Sequence, residues 1–227
     1  MTGERSVLEA RARVHAALGD PARLAIVDHL GTGDASPGEI GRLLGLPTNL
    51  VAHHVAVLEA AGLVRRTRSE GDRRRTYLCL VPRDPAAVAE PRVLIVPRVV
   101  FVCTHNSARS QFAAALLAGC TPVPVASAGT APAVRVHPRA VRVGRRHGLT
   151  LGRVRPAQVS DVVRADDLVI AVCDQAYERL GGGAGRLHWS VPDPVPADTD
   201  EAFEAAYAEI ARRVGRLVPA LRGGSRG

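Results

Sequence analysis

The chain has 227 residues, 30 basic against 22 acidic side chains, a formal net charge of +8, and a composition that is 46% hydrophobic but only 3% aromatic. That apolar content excludes a wholly disordered chain and calls for cores of Val, Leu and Ala, and the length allows one large domain or two small ones. All the basic residues are arginine, a compositional bias, and the part before Val93 carries +2 against +6 after it; net charge is therefore no guide to a nucleic-acid site, and position has to decide. Cys79, Cys103, Cys120 and Cys173 are too few and too scattered for a disulfide scaffold. The start, MTGERSVLEARARVH, lacks the apolar core of a signal peptide, and no run approaches the ~20 apolar residues of a membrane span. A soluble cytoplasmic protein without membrane contact is expected, its cysteines reduced and free for chemistry.

In chain order, Glu4–Leu18 places Val7, Leu8, Val14 and Leu18 on one helix face. Asp20-Pro21 caps and starts a second helix to Leu30. Ser36-Pro-Gly-Glu39 has capping-box spacing and opens a short helix to Leu44. After Gly45-Leu-Pro47, Thr48 is expected to cap a helix running to Ala61, stopped by Gly62. Leu63–Arg65 and Thr76–Leu80 read as two strands around an arginine-rich tip bent at Gly71. Pro82, Pro85, Pro91 and Pro97 mark a linker with a possible strand at Val93–Val96. Beyond it strands alternate with helices: strand 99–102, helix 109–118, strand 123–127, helix 138–147, strand 167–172 and helix 203–221. That alternation predicts a parallel α/β sheet. The expected division is 1–83, a linker at 84–96, and a second domain at 97–222.

Two helices joined by Gly-Leu-Pro and followed by a basic hairpin follow winged helix-turn-helix logic. A helix fits the major groove and presents its N-terminal residues to base edges. Here these are Thr48, Asn49 and Ala52, with His53 or His54 beyond; the histidines are adjacent, so one faces inward. Asn can pair bidentately with adenine. Six arginines in eleven residues, among them Arg68, Arg73, Arg74 and Arg75, against Glu70 and Asp72, suit contact with duplex phosphates. The bland alternative is a solvated loop beside helices that pack another domain. No metal site is expected, and Cys79 is expected in the core.

The words GEIGRLLGLPTNLVAHHVAVLEAAGLV and GDRRRTYLCL resemble the ArsR-type winged-helix repressors over residues 6–82. The resemblance implies a homodimer, formed through this domain, on a partly palindromic DNA operator. Arsenic-sensing members carry Cys-x-Cys in the helix before the recognition helix; this chain has Ser36-Pro-Gly38, so thiol sensing of arsenite is not expected there.

In the second part, strand 99–102 runs into Cys103-Thr104-His105-Asn106-Ser107-Ala108-Arg109-Ser110 and then a helix. Backbone N–H groups in such a turn converge on an anion, and the helix N-terminus adds about half a positive charge. Arg109 can clamp two oxygens of a tetrahedral anion. The same field favours a thiolate on Cys103, with Ser110 donating to it, giving a nucleophile that faces a bound oxyanion. Asp193, held before Pro194 in HWSVPDP, can protonate a leaving oxygen. Taken singly, Cys-x5-Arg and Asp-Pro are weak signals, a buried strand end and a turn.

The words VVFVCTHNSARSQFAAALL, ASAGT, VHPRAVRVGRRHGL, DLVIAVCD and HWSVPDP, spread over 97–222, resemble the low-molecular-weight phosphatase superfamily and more closely its arsenate reductase branch. Gln111 after Arg-Ser and Val195 after Asp-Pro follow the reductases. The resemblance implies attack of Cys103 on arsenate, assistance by Asp193, and a second thiol that attacks the Cys103 sulfur to release arsenite. Cys173, at the carboxyl end of a parallel strand, is the candidate second thiol. Thioredoxin-coupled relatives carry a further cysteine seven positions later; here it is Leu180. Cys173 therefore bonds Cys103 directly or an external thiol does so. No bound cofactor is expected, only an external reductant: thioredoxin, or a small thiol with its redoxin. The alternatives are a low-molecular-weight tyrosine phosphatase and a non-catalytic oxyanion sensor for the first domain. His105, in place of a common glycine, is strained if its φ is positive. Arg135, Arg139, Arg142, Arg145 and Arg146 read as a solvated face, and Cys120 as packing.

Overall fold

The computed structural model describes residues 2–81, 93–152, 155–181 and 186–224, with side chains from residue 8 onward. The chain divides into two compact units, residues 1–68 with 74–92, and residues 69–73 with 93–227. Of the expected linker at 84–96, residues 84–92 lie outside the described residues, while Leu94–Val96 form a strand, as expected near 93–96. Among those described, no helix is long and apolar enough to cross a membrane.

The first unit contains α1 (Thr2–Leu18), α2 (Pro21–Thr32), α3 (Pro37–Leu44), α4 (Thr48–Ala60), β1 (Val64–Arg68) and β2 (Thr76–Leu80). Asp20 caps α2 by accepting the Arg23 N–H at 3.0 Å. Ser36 and Glu39 form the expected capping box at α3. Ile26, Val27, Leu30, Ile40, Val51, Val55, Leu58 and Leu78 make one closed core. The strands pair antiparallel, Val64 opposite Leu80 and Arg68 opposite Thr76. Two expectations change. Leu8 is 64% exposed rather than packed with Val14, and the Val7 side chain is outside the described residues. Pro47, not Thr48, occupies the N-cap of α4, with no side-chain cap bond; the proline holds the extended backbone a cap requires, so the helix starts one residue earlier.

In the second unit, β4 (Val99–Cys103) is the centre of a parallel sheet ordered β5-β4-β6-β7, with β5 at Val125–Gly129, β6 at Leu168–Ala171 and β7 at Arg186–His188. β4 is buried along its whole length, as a parallel strand covered on both faces must be. The helices are α5 (Arg109–Ala118), α6 (Pro138–Arg146), α7 (Val159–Val162), α8 (Asp174–Leu180) and α9 (Asp200–Leu217). β3 (Leu94–Val96) pairs in parallel with β8 (Leu221–Gly223) as a separate two-stranded sheet. α7, α8 and β7 are too short to carry a readable period. The last helix stops at Leu217, not Leu221, because Pro219 supplies no N–H, and the chain continues through a short 3-10 turn into β8. Its start at Asp200 is set by Thr199, which accepts the Ala202 N–H at 3.2 Å. The arginine run on α6 is not simply solvated: Arg139, Arg142 and Arg146 all reach Asp200, and Arg146 also reaches Glu204.

Candidate active site

On α4 of the first unit Thr48, Asn49, Ala52 and His53 are exposed while Val51, His54, Val55 and Leu58 are buried. The histidine pair is thus resolved by the 3.6-residue period: His53 joins the outward face and His54 turns in, its Nδ1 3.7 Å from the Asp20 carboxylate. Arg68, Arg73, Arg74 and Arg75 are exposed. Cys79 is fully buried, as expected.

In the second unit the 103–110 segment joins β4 to α5 as a tight loop. Asn106 makes the turn with φ +49°, the left-handed region that Asn tolerates better than most residues. His105 does not have a positive φ, so the anticipated strain falls one residue later, on Asn106. The Asn106 side chain is fully used. Its Nδ2 donates to Ser110 Oγ at 2.8 Å, and its Oδ1 accepts the Ala157 N–H at 3.1 Å. A Cβ at Gly129 would stand 2.9 Å from the Thr104 carbonyl and 3.1 Å from the Asn106 nitrogen, so the ASAGT glycine permits β5 to end against the loop. Residues 130–137 then lace to the loop, with Thr130, Ala131, Ala133 and His137 N–H groups donating to the carbonyls of Cys103, Thr104, His105 and Ser107.

Cys103 Sγ receives the Asn106 N–H at 3.2 Å and lies 3.1 Å from Ser110 Oγ. The Asn106 N–H thus donates to the sulfur, and the Ser110 hydroxyl stands within hydrogen-bond reach of it. Arg109 is 4% exposed. Its Nη1 donates to the Val191 carbonyl at 2.9 Å, and its Nη2 meets Asp193 Oδ2 at 2.9 Å. Burial opposes the guanidinium charge, but Cys173, Cys103 and Asp193 hold its pKa above the ordinary arginine value. Asp193 is further ordered by accepting the Val195 N–H at 3.2 Å.

Cys173 sits at the N-cap of α8, 2% exposed. Its Sγ is 3.5 Å from the hydroxyl of Thr104, the residue next to Cys103. Burial raises its pKa, with Arg109 opposing. The next residue, Asp174, is buried and accepts from His188 at 2.8 Å, and His188 stacks on Tyr177. Burial works against the Asp174 charge, but its hydrogen bonds with His188 and Ser190 lower its pKa. Arg109, Cys173, Asp174, Gln175, Asp193 and Glu70 line one cavity. Cys120 is exposed and outside this cluster, so it is not packing. Among the described residues no cluster could hold a metal ion.

Two residues were missed in the sequence. Asp174 looked like an ordinary helix start. Glu70 read as one acid among arginines. It belongs to the second unit, where its carboxylate lies 3.7 Å from Arg109 Nη1 and accepts the Asp193 N–H at 3.1 Å. No local spacing marks either role.

Residues 98–225 match the family model described as low molecular weight phosphotyrosine protein phosphatase, and residues 20–75 match the model described as MarR family. The expected winged-helix module is therefore matched under the MarR description rather than the ArsR one. Similar solved structures include an arsenate reductase from Archaeoglobus fulgidus, 32% identical over 53% of this chain and 98% of its own, TM-score 0.48. The tyrosine phosphatase AmsI of Erwinia amylovora is 24% identical over 56% of this chain and 94% of its own, TM-score 0.50, a likeness of fold. The thioredoxin-dependent arsenate reductase of Corynebacterium glutamicum is 30% identical over 54% of this chain and 60% of its own, TM-score 0.44. No curated protein matches.

Proposed function

Because the chain belongs to the low molecular weight phosphotyrosine protein phosphatase family, we propose that its second unit reduces arsenate to arsenite with thiol electrons, and that its first unit binds duplex DNA as a regulator. The carrying observation is the second buried thiol. Cys173 lies against Thr104 in the oxyanion loop and lines the same cavity as Arg109 and Asp193. A phosphatase needs one thiol; a reductase that resolves its own nucleophile within the chain needs two. Among the described residues, no aromatic side chain lines that cavity.

In this reading arsenate sits against the loop amides and Arg109. The Cys103 thiolate forms a sulfur–arsenic bond while an arsenate oxygen, protonated by Asp193, leaves as water. Cys173 then attacks the Cys103 sulfur. The sulfur–sulfur bond forms, the sulfur–arsenic bond breaks, and its electron pair stays on arsenic, which leaves as arsenite. The Cys173 proton passes to the departing oxyanion. An external thiol, thioredoxin or a small thiol with its redoxin, reduces the disulfide, since Leu180 offers no third cysteine. The DNA-binding half rests on the exposed face Thr48, Asn49, Ala52 and His53 and on the MarR-family match, with a homodimer through the first unit as the arrangement that suits a palindromic operator.

The test is arsenite production from arsenate with a thiol reductant. Cys103→Ser is expected to abolish it and Cys120→Ser to retain it; an active Cys103→Ser sinks the assignment. The completeness of Cys103, Arg109 and Asp193 also suits the phosphatase reading, which predicts reductant-independent hydrolysis of an aryl phosphate and no arsenite.

A further inference from the structure

Within the second unit Arg109 interacts electrostatically with Cys103, yet it is flanked by two carboxylates. Asp193 has a role in the chemistry. Glu70 has none there, and its position is built. Its backbone N–H donates to Asp174 at 2.8 Å, and its carboxylate accepts the Asp193 N–H at 3.1 Å and 3.3 Å from its two oxygens. The same carboxylate stands 3.7 Å from Arg109 Nη1. Its neighbours are held too: Ser69 Oγ donates to Glu178 at 2.7 Å and the Asp72 N–H donates to Glu178 at 2.8 Å. A Cβ at Gly71 would stand 3.3 Å from the Gln175 Cα, a tight approach, so the segment lies close against α8.

We infer that Glu70 is a resident anion of the oxyanion site, a carboxylate that competes with the incoming tetrahedral anion for Arg109 and sets how tightly the site binds it. The chemistry is that of a like charge beside a dianion. Glu70 takes one backbone N–H and a share of the guanidinium, the donor types a tetrahedral oxyanion uses. An arriving anion either displaces the carboxylate or binds against its repulsion. Burial raises the Glu70 pKa, and Asp174 and Asp193 add to this while Arg109 opposes it. The consequence is selection for anions that outbid a carboxylate at Arg109, and rejection of monoanionic carboxylates, which gain nothing by exchange. The inference rests on the oxyanion reading of the loop but not on reduction.

The experiment measures binding of inorganic phosphate to the full chain by isothermal titration, independently of any turnover. Glu70→Gln keeps the shape and removes the charge. It is expected to tighten phosphate binding about tenfold, the scale of a unit charge removed from beside a dianion in a partly screened site. Glu70→Asp, which draws the carboxylate back from Arg109, is expected to tighten it less. Unchanged or weaker binding in Glu70→Gln, with an unfolding midpoint equal to that of the parent, overturns the inference. Should Glu70→Gln fail to fold, parent-like binding by a folded Glu70→Asp overturns it. Absence of phosphate binding by the parent and by both variants overturns the oxyanion reading itself, which is a different failure.

Discussion

Arg109 and Asp193 form a 2.9 Å ion pair, so the proposed oxyanion clamp and the proposed acid hold each other in place. Arg109 also grips the Val191 carbonyl two residues earlier, and therefore fixes the loop that carries the acid as well as its carboxylate. In the proposed reaction, an anion that drew the guanidinium toward Cys103 would loosen the acid.

Asp193→Asn is accordingly expected to lower kcat by about 100-fold or more, the usual contribution of a positioned acid. Phosphate binding should be retained, since the amide still meets Arg109 and one negative charge is gone. Steady-state kinetics and a phosphate titration read the two effects separately; loss of binding equal to the loss of rate would contradict the role.

Cys173→Ser is expected to bind phosphate like the parent and to keep Cys103 reactive toward iodoacetamide. Arsenite formation should fall to the slow rate at which an external thiol reaches the Cys103 sulfur. Full turnover in Cys173→Ser, measured with excess reductant, would remove Cys173 from the reaction.

Asn106 carries the positive φ of the loop and ties it to Ser110 and Ala157. Asn106→Ala keeps neither the side-chain bonds nor the tolerance for that backbone. We expect a loss of about 2 kcal/mol in denaturant unfolding and weaker phosphate binding. Asn106→Gly relieves the backbone and should recover part of the stability but none of the hydrogen bonds.

Arg98 and Asp167 form a largely buried pair, side chains 13% and 1% exposed, with Nε 2.8 Å from Oδ1. Burial of Asp167 works against its charge, yet the pairing with Arg98 and the Arg164 N–H hold its folded pKa below the usual value. A depressed acid contributes stability above its unfolded pKa of about 3.9 and loses it as pH falls through the lower folded value. Arg98→Met should therefore be clearly less stable than the parent at neutral pH, and the gap should close below about pH 4. Denaturant unfolding across a pH series checks it; a gap that persists into acid would mean the pair matters for packing alone.

The exposed face of α4 predicts a division of labour on DNA. Asn49→Ala should relax sequence preference and cost roughly 1–3 kcal/mol on the preferred site. Arg74→Ala and Arg75→Ala should weaken binding to all sequences and shallow its dependence on salt by about one unit each. Electrophoretic titration over several salt concentrations separates them.

The sequence by itself determined what is local. Capping at Asp20 and Ser36, the hairpin at Thr76–Leu80, the buried strand at 99–102 and the helix from Arg109 are set by neighbours three or four residues apart. The Cys103–Ser110 loop is legible for the same reason, since one turn holds nucleophile, donors and cation. Only the tertiary structure decided which distant groups share the site. That Arg109 meets Asp193 and Glu70, that Thr104 touches Cys173, and that Asp174 is anchored by His188 depend on the pairing of β4, β6 and β7 and on loops brought together across up to 123 residues of chain. Residue spacing encodes backbone period, not the packing that brings one strand end beside another, so the electrostatics of the pocket could be read only once the sheet had closed.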